Sequence, residues 1–304
     1  MNLLRDLCSV RSVSGDELPI RDFLIDYVKK ESSNWKNQPT LLYGDGLQDC
    51  LVLVFGKPRT AIFAHIDTIG FTVGYGRSLI KVGGPAVRDG FRLWGKDSKG
   101  DIDCKIVIHP ENNQPYHDFH REIDRGTCLS FYPDFRETKQ FVQSCYMDNR
   151  LGIYNALRVA ETLEDGLIVF SCYEEHGGGT VGFLANLMVN QYHVHQALIS
   201  DITWVTDGVQ HGKGTAISMR DSGIPRKVFL NRIIELAKAS NIPFQLEVES
   251  AGGSDGSELQ KSPFPIDWCF IGAPENFVHT PDEKVHKSDI KSMISLYQYL
   301  MEKL

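Results

Sequence analysis

The chain has no cysteine pair at CxxC spacing. Its seven cysteines, Cys8, Cys50, Cys104, Cys128, Cys145, Cys172 and Cys269, are scattered and odd in number. They read as reduced core residues and exclude a disulfide frame or a zinc knuckle. A basic stripe is missing: 32 lysines and arginines are outnumbered by 39 acids, a net charge of -7, so neither nucleic acid nor an anionic membrane surface is an expected partner. No apolar run approaches the length of a membrane span. The opening stretch, MNLLRDLCSVRSVSGDE, lacks an apolar core behind a basic segment, which predicts a cytoplasmic location. Internal repeats and low-complexity tracts are also missing. What is present is an ordinary globular composition, 304 residues with 42% hydrophobic and 23% charged, enough for one large core or two domains.

Ser14-Gly15-Asp16-Glu17 fits a capping box, and Leu18, Phe23, Leu24, Tyr27 and Val28 recur at helical spacing up to Lys30. Leu51 to Phe55 and Thr60 to His65 are continuous apolar strands around a Gly-Lys-Pro-Arg turn, which predicts a hairpin or a pair of neighbouring strands. From Tyr75 to Gln140 the character changes. Gly83-Gly84-Pro85, Gly90, Gly95, Gly100 and Pro110 break up short alternating segments, as in a small β domain without helices. Residues 75–140 therefore read as an insertion into a catalytic unit made of 1–74 and 141–304. Helices are expected over Leu151–Leu163, Thr180–Val189, Pro225–Ala239 and Ile290–Leu304. Strands are expected over Gly166–Tyr173, Gln196–Ile202, Gly214–Met219, Phe244–Val248 and Trp268–Ile271. This alternation predicts the α/β class, a mixed sheet covered by helices on both faces, with the small β domain inserted.

The chemistry is concentrated where strands end. Glu174 and Glu175 close the apolar run GLIVFSCY and are followed by Gly177, Gly178 and Gly179. Ligands of open α/β sheets bind at the carboxyl edge, so one acid can hold a metal while its neighbour works as a base. Neighbouring strand residues point to opposite sides, so both acids serve one site only if the backbone turns there, a turn the glycines permit. His65-Ile66-Asp67 puts a His and an Asp on one strand face, where the Asp can accept the second imidazole N–H and fix the tautomer that ligates metal. Asp148, in Asp148-Asn149-Arg150, is either a helix N-cap or a ligand bridging two metals. Asp201 ends a strand, and His279 follows one. His109, His117, His120, His193, His195 and His211 lack partners at ligand spacing. Each motif alone suits a surface turn or cap as well. Together, two histidines and three carboxylates suffice for two divalent cations with one carboxylate shared.

The ordered set HID, DNR, EE, ISDITWVTD and VHTP resembles the glutamyl-aminopeptidase or tetrahedral-aminopeptidase family of dinuclear metallopeptidases, also known as cellulase M or deblocking aminopeptidases. The likeness extends through AHIDTIGFTV, GGSDGSEL and GAPENFVHTPDEKVHKSDI, nearly the whole chain. It implies a phosphorylase/hydrolase-like metallopeptidase core and a β insertion serving as a lid or in oligomerisation. It also implies removal of N-terminal residues from short peptides by a metal-activated water. Carried over by position, His65, Asp148 and Asp201 would hold one metal, and Asp148, Glu175 and His279 the second. Zinc is the expected ion, with cobalt and manganese as alternatives. Glu174 would be the general base and Asp67 the orienter of His65. The Gly-Lys-Gly-Thr run from Gly212, Asp221 and Asp255 match further family positions, the last without an assigned role. Thr68 and Asn149 stand where the family usually carries acids. The insertion is also short for the family, so its large assemblies imply only that a homo-oligomer is possible.

Other readings compete. Gly252-Gly253-Ser254-Asp255-Gly256 satisfies GxSxG, and His176-Gly177-Gly178-Gly179 resembles an esterase oxyanion loop, which would make Ser254 a nucleophile. A deacylase or carboxypeptidase on the same metal core, or a non-catalytic homologue that keeps the fold, would share the ligand set.

Overall fold

The computed structural model describes residues 1–304 except Asp45. The chain begins with a helix that the sequence did not reveal, α1 (Asn2–Cys8), too short at seven residues to show a period. The expected first helix follows as α2 (Leu18–Glu31). The capping box does not form: no side chain caps α2, and the Ser14 hydroxyl donates instead to Asp67 Oδ2 at 2.6 Å. Three strands come next, β1 (Thr40–Leu42), β2 (Leu51–Phe55) and β3 (Ala61–His65).

The chain then leaves for a second sheet. Strands β4 (Gly70–Val73), β5 (Leu79–Val82), β6 (Arg92–Asp97), β7 (Gly100–Ile108), β8 (Pro115–His117) and β9 (Cys128–Phe131) pair antiparallel in the order β5-β4-β9-β6-β7-β8. They enclose their own apolar core, with Phe71, Leu93, Ile106, Leu129 and Phe131 fully buried. This sheet starts at Gly70. Strand β10 (Arg136–Glu137) already pairs with β11 (Phe141–Gln143) in the large sheet.

The remaining elements alternate: α3 (Met147–Ala160), β12 (Gly166–Ser171), α4 (Val181–Tyr192), β13 (Gln196–Trp204), β14 (Thr215–Arg220), α5 (Lys227–Ser240), β15 (Phe244–Val248), α6 (Asp255–Lys261), β16 (Asp267–Asn276), β17 (Lys284–His286) and α7 (Lys287–Lys303). The large sheet has eleven strands. Its main path is β1-β2-β12-β3-β13-β16-β17-β11-β10, with β14 and β15 branching from β16. It is a mixed sheet: β3, β12, β13 and β16 run parallel, and β2 and β14 oppose them. Helices α1, α3, α5 and α7 cover one face and α4 and α6 the other.

A further expectation is overturned. Strands β2 and β3 are neither a hairpin nor neighbours, because β12 lies between them, antiparallel to β2 and parallel to β3. All six residues of β12 are buried, and a strand this apolar is stable only at the centre of the sheet. Strands β13 and β16 also run past their expected ends, paired from Gln196–Asp267 to Trp204–Glu275. Buried acids, Asp201 and Glu275, sit inside strands that the sequence suggested had ended there. Among the described residues, no helix is long and apolar enough to cross a membrane.

Candidate metal centre

Parallel register sets the foundation. His65 ends β3 directly beside Ser171, which ends β12, and the Ile66 N–H donates to the Ser171 carbonyl at 2.8 Å. The chain then reverses at Tyr173, which takes a positive φ of 63°. The turn therefore starts one residue ahead of the acid pair. Gly177 and Gly178 complete it at φ 101° and 63°, with the Gly178 N–H on the Tyr173 carbonyl at 2.6 Å. The reversal aims the N–H groups of Glu174 and Glu175 at the Asp67 carboxylate, 3.0 Å to Oδ1 and 3.1 Å to Oδ2. With Ser14, this buried carboxylate has three donors, which stabilise its charge. Its Oδ1 lies 3.4 Å from His65 Nδ1, and its backbone carbonyl lies 3.2 Å from the same nitrogen. Asp67 thus fastens the acid pair to the His65 strand.

The other side chains converge on this point. His65 Nε2 is 3.2 Å from Asp148 Oδ1, 3.5 Å from Asp201 Oδ2 and 4.0 Å from Glu174 Oε2. His279 Nε2 is 3.4 Å from Asp148 Oδ2 and 3.2 Å from Glu175 Oε2. One ligand atom from each of His65, Asp148 and Asp201 lies within 4.8 Å of the others, and the same holds for Asp148, Glu175 and His279. The two clusters share Asp148, whose oxygens face one histidine each. Asp148 is no N-cap: its two oxygens face the histidines, and the side chain that accepts a first-turn N–H of α3 is the neighbouring Asn149, from Gly152 at 2.8 Å.

Electrostatically the centre is crowded with negative charge. Burial, then the Asp148 charge, pushes Glu175 up to about 7, and burial pushes Asp201 up to about 6 and Glu174 well above the carboxylate range. Burial alone would lower His279, but hydrogen bonds to Asp148 and Glu175 outweigh it and raise it to about 11. Asp148 is held low against its burial by the two histidines. Glu175 Oε1 is buried without a hydrogen-bond partner among the described residues. Packed carboxylates with an orphaned oxygen, on a mixed nitrogen and oxygen donor set, fit divalent cations.

Several supporting residues had no role in the sequence reading. Glu283 is fully buried and accepts the His279 N–H on Oε1 (2.9 Å) and the Asp148 N–H on Oε2 (3.3 Å), so one side chain positions residues of both clusters. It is the Glu of HTPDEK; a charged residue in a turn gave no sign of burial. Arg150 is also fully buried and donates to the carbonyls of Leu7, Ile66 and Val10 and to the Ser12 hydroxyl, tying the N-terminal segment beneath the site. Asn149 donates to the Ser200 carbonyl at 2.9 Å and accepts from the Gly152 N–H at 2.8 Å. An aspartate there could not make the first bond, which accounts for the amide. Asp255 lies behind the site and accepts from the Ser171 hydroxyl. Gly212 and Gly214 donate to the two oxygens of Asp289, which anchors the Gly-Lys-Gly-Thr run to α7.

Ser254 is not arranged as a nucleophile. It is 3% exposed, and its Oγ caps α6 by accepting the Gly256 N–H at 3.2 Å. His211 lies away from the clusters, its Nε2 2.7 Å from Asn276 Oδ1. The centre opens into a cavity of about 530 Å³, lined in part by Asp148, Glu174, Glu175, Asp201 and His279.

The fold has relatives. An aminopeptidase of the archaeon Desulfurococcus kamchatkensis superposes with a TM-score of 0.88 at 21% identity, covering 100% of this chain and 94% of that one. The TET1 peptidase of Pyrococcus horikoshii, described as assembling into a tetrahedron or a large octahedral shell, gives 0.83 at 22% identity, with 100% and 99% covered. At these identities the likeness is one of fold. An Acetivibrio thermocellus protein, provisionally described as an aminopeptidase, is 26% identical over 97% of this chain and 96% of its own. The model of the M42 glutamyl aminopeptidase family matches residues 111–296, which include Asp148, both glutamates, Asp201 and His279. Since that match extends over more than half of its length, the chain belongs to the M42 glutamyl aminopeptidase family.

Proposed function

We propose that this member of the family is a cytoplasmic aminopeptidase that removes N-terminal residues from short peptides with two divalent cations, zinc foremost. The observation that carries the reading is the pair of donor clusters sharing Asp148. His65, Asp148 and Asp201 would hold one cation, and Asp148, Glu175 and His279 the other. Bound there, the cations supply Lewis acidity, polarising the scissile carbonyl and making a water acidic. The chain supplies the rest. Glu174 stands 4.0 Å from His65 Nε2 but belongs to neither cluster, so its carboxylate is free to take the attacking water's proton and return it to the leaving amine. Asp67 keeps that carboxylate in place through the backbone and restrains His65. Residues 75–140 would act as a lid or an assembly surface on a catalytic unit of 1–74 and 141–304, in a homo-oligomer as described for the Pyrococcus relative.

Glu174→Gln should keep both cations and lower kcat about 10²–10⁴-fold, the range typical of a general base. Asp148→Ala should lose both, because it removes the shared ligand. Metal analysis beside turnover of an aminoacyl anilide checks both. Full activity in Glu174→Gln, or full occupancy in Asp148→Ala, refutes the corresponding assignment. N-acetylated peptides should be inert; their cleavage would point to a deacylase.

A further inference from the structure

We propose that the cavity selects peptides whose first residue is basic, lysine or arginine; this rests on the aminopeptidase reading above. Four cavity carboxylates belong to the two clusters and the proposed base, and two divalent cations would balance their four charges. The wall carries three more, Asp221, Glu247 and Glu249, while neither lysine nor arginine lines it. Asp221 is 8% exposed. It turns Oδ1 to the Gly223 N–H, and its other oxygen makes no hydrogen bond among the described residues. Glu247 is 3% exposed and accepts the hydroxyl of Thr203, which lies two residues beyond Asp201 in β13 and so on the same side of that strand. Glu249 is partly exposed and forms no ion pair among the described residues. The guanidinium of Arg220, the neighbouring cation, bonds among the described residues to the Asp221 carbonyl alone.

The same wall is apolar in part. Trp204 and Phe270 line it, and Gly252 brings the backbone to the indole, where a Cβ would stand 3.5 Å from the ring. An aromatic flank with acids suits a long aliphatic stem ending in a cation, since the stem covers apolar surface and the head reaches the carboxylates. A glutamyl or aspartyl side chain would meet Asp221, Glu247 and Glu249 as like charges on this wall, and their repulsion disfavours it.

The test uses the full-length, metal-loaded protein and the p-nitroanilides of Lys, Arg, Leu, Met and Glu. Lys and Arg should exceed Glu in kcat/KM by about 100-fold or more, two factors of ten in transition-state binding. In Asp221→Asn and Glu249→Gln the ratio of Lys to Leu should fall about 10-fold, chiefly through KM. Being a ratio within one preparation, it is insensitive to any loss of folded protein. A wild type that prefers Leu, Met or Glu, or a ratio unchanged in both variants, overturns the inference and leaves the aminopeptidase reading intact. Failure to release any first residue with metal bound overturns both.

Discussion

Carboxylates without charge partners are frequent in the interior of this chain, and each does different work. Glu283 spends one oxygen on the His279 N–H and the other on the Asp148 N–H. A glutamine has only one acceptor oxygen, so Glu283→Gln must release one of the two backbones. The cation shared by Asp148, Glu175 and His279 should then bind about 10–100-fold more weakly, the usual effect of disturbing a residue behind the ligands. Metal titration checks this, and unchanged affinity for both cations would count against it. Glu17 is different: it is 1% exposed, its Oε1 has no partner among the described residues, and burial raises it to about 7 from its ordinary 4.5. The folded chain thus holds this proton more tightly than the unfolded one. The resulting stability is complete below pH 4.5 and is lost as pH rises through about 7. Glu17→Gln should not show that loss, gaining up to about 2 kcal/mol over the wild type between pH 5 and pH 8, by urea denaturation at each pH. The burial of neither glutamate could be read in the sequence, where Glu17 passed as the far end of a capping box. The ligand-type residues were legible because His, Asp and Glu at strand ends are rare and ordered; acids acting through backbone N–H groups leave no pattern.

Elements bring the second sheet into contact with the centre. The loop after β5 carries Gly83 and Gly84, and the Gly84 carbonyl lies 3.2 Å from His279 Nδ1 while the Ala86 N–H donates to the His279 carbonyl at 2.9 Å. A Cβ on Gly84 would stand 3.0 Å from that ring nitrogen, and one on Gly83 would stand 3.1 Å from the Glu175 carbonyl. Gly84→Ala should therefore displace His279 and weaken its cation selectively, leaving the His65 cluster intact. A cobalt-substituted spectrum that loses only one of two site signatures is the expected result, and two intact signatures would refute it. The long helices, α2, α3, α4, α5 and α7, and most strands were legible from periodicity, with ends shifted by a few residues, whereas the seven-residue α1 and α6 were not. What could not be read was use: Ser14 has the spacing of a capping box and yet is recruited by Asp67, 53 residues away. A local pattern cannot anticipate a stronger distant partner.

The molecule as a whole is ordered by strand insertion. The α/β alternation identified the class, but adjacency in sequence suggested that β2 and β3 were neighbours, and the sheet places β12 between them. Periodicity reports which faces are buried and says nothing about which strand is the neighbour. A fragment of residues 1–165 contains β2 and β3 without β12, so their amides should exchange freely with deuterium, whereas in the full chain they should be among the slowest. Protection of β2 and β3 in the fragment would contradict the need for β12.

The same insertion has a bearing on biosynthesis. Phe55 pairs with Gly166, and Ala61 with Leu167. Roughly a hundred residues must therefore leave the ribosome after β3 before the middle strand arrives, about 5–20 s at ordinary elongation rates. During that interval two apolar strands present open edges to one another and to neighbouring nascent chains, while the second sheet is already complete in sequence. The birth of this protein, more than its finished state, is where holdase chaperones and slow translation have something to protect.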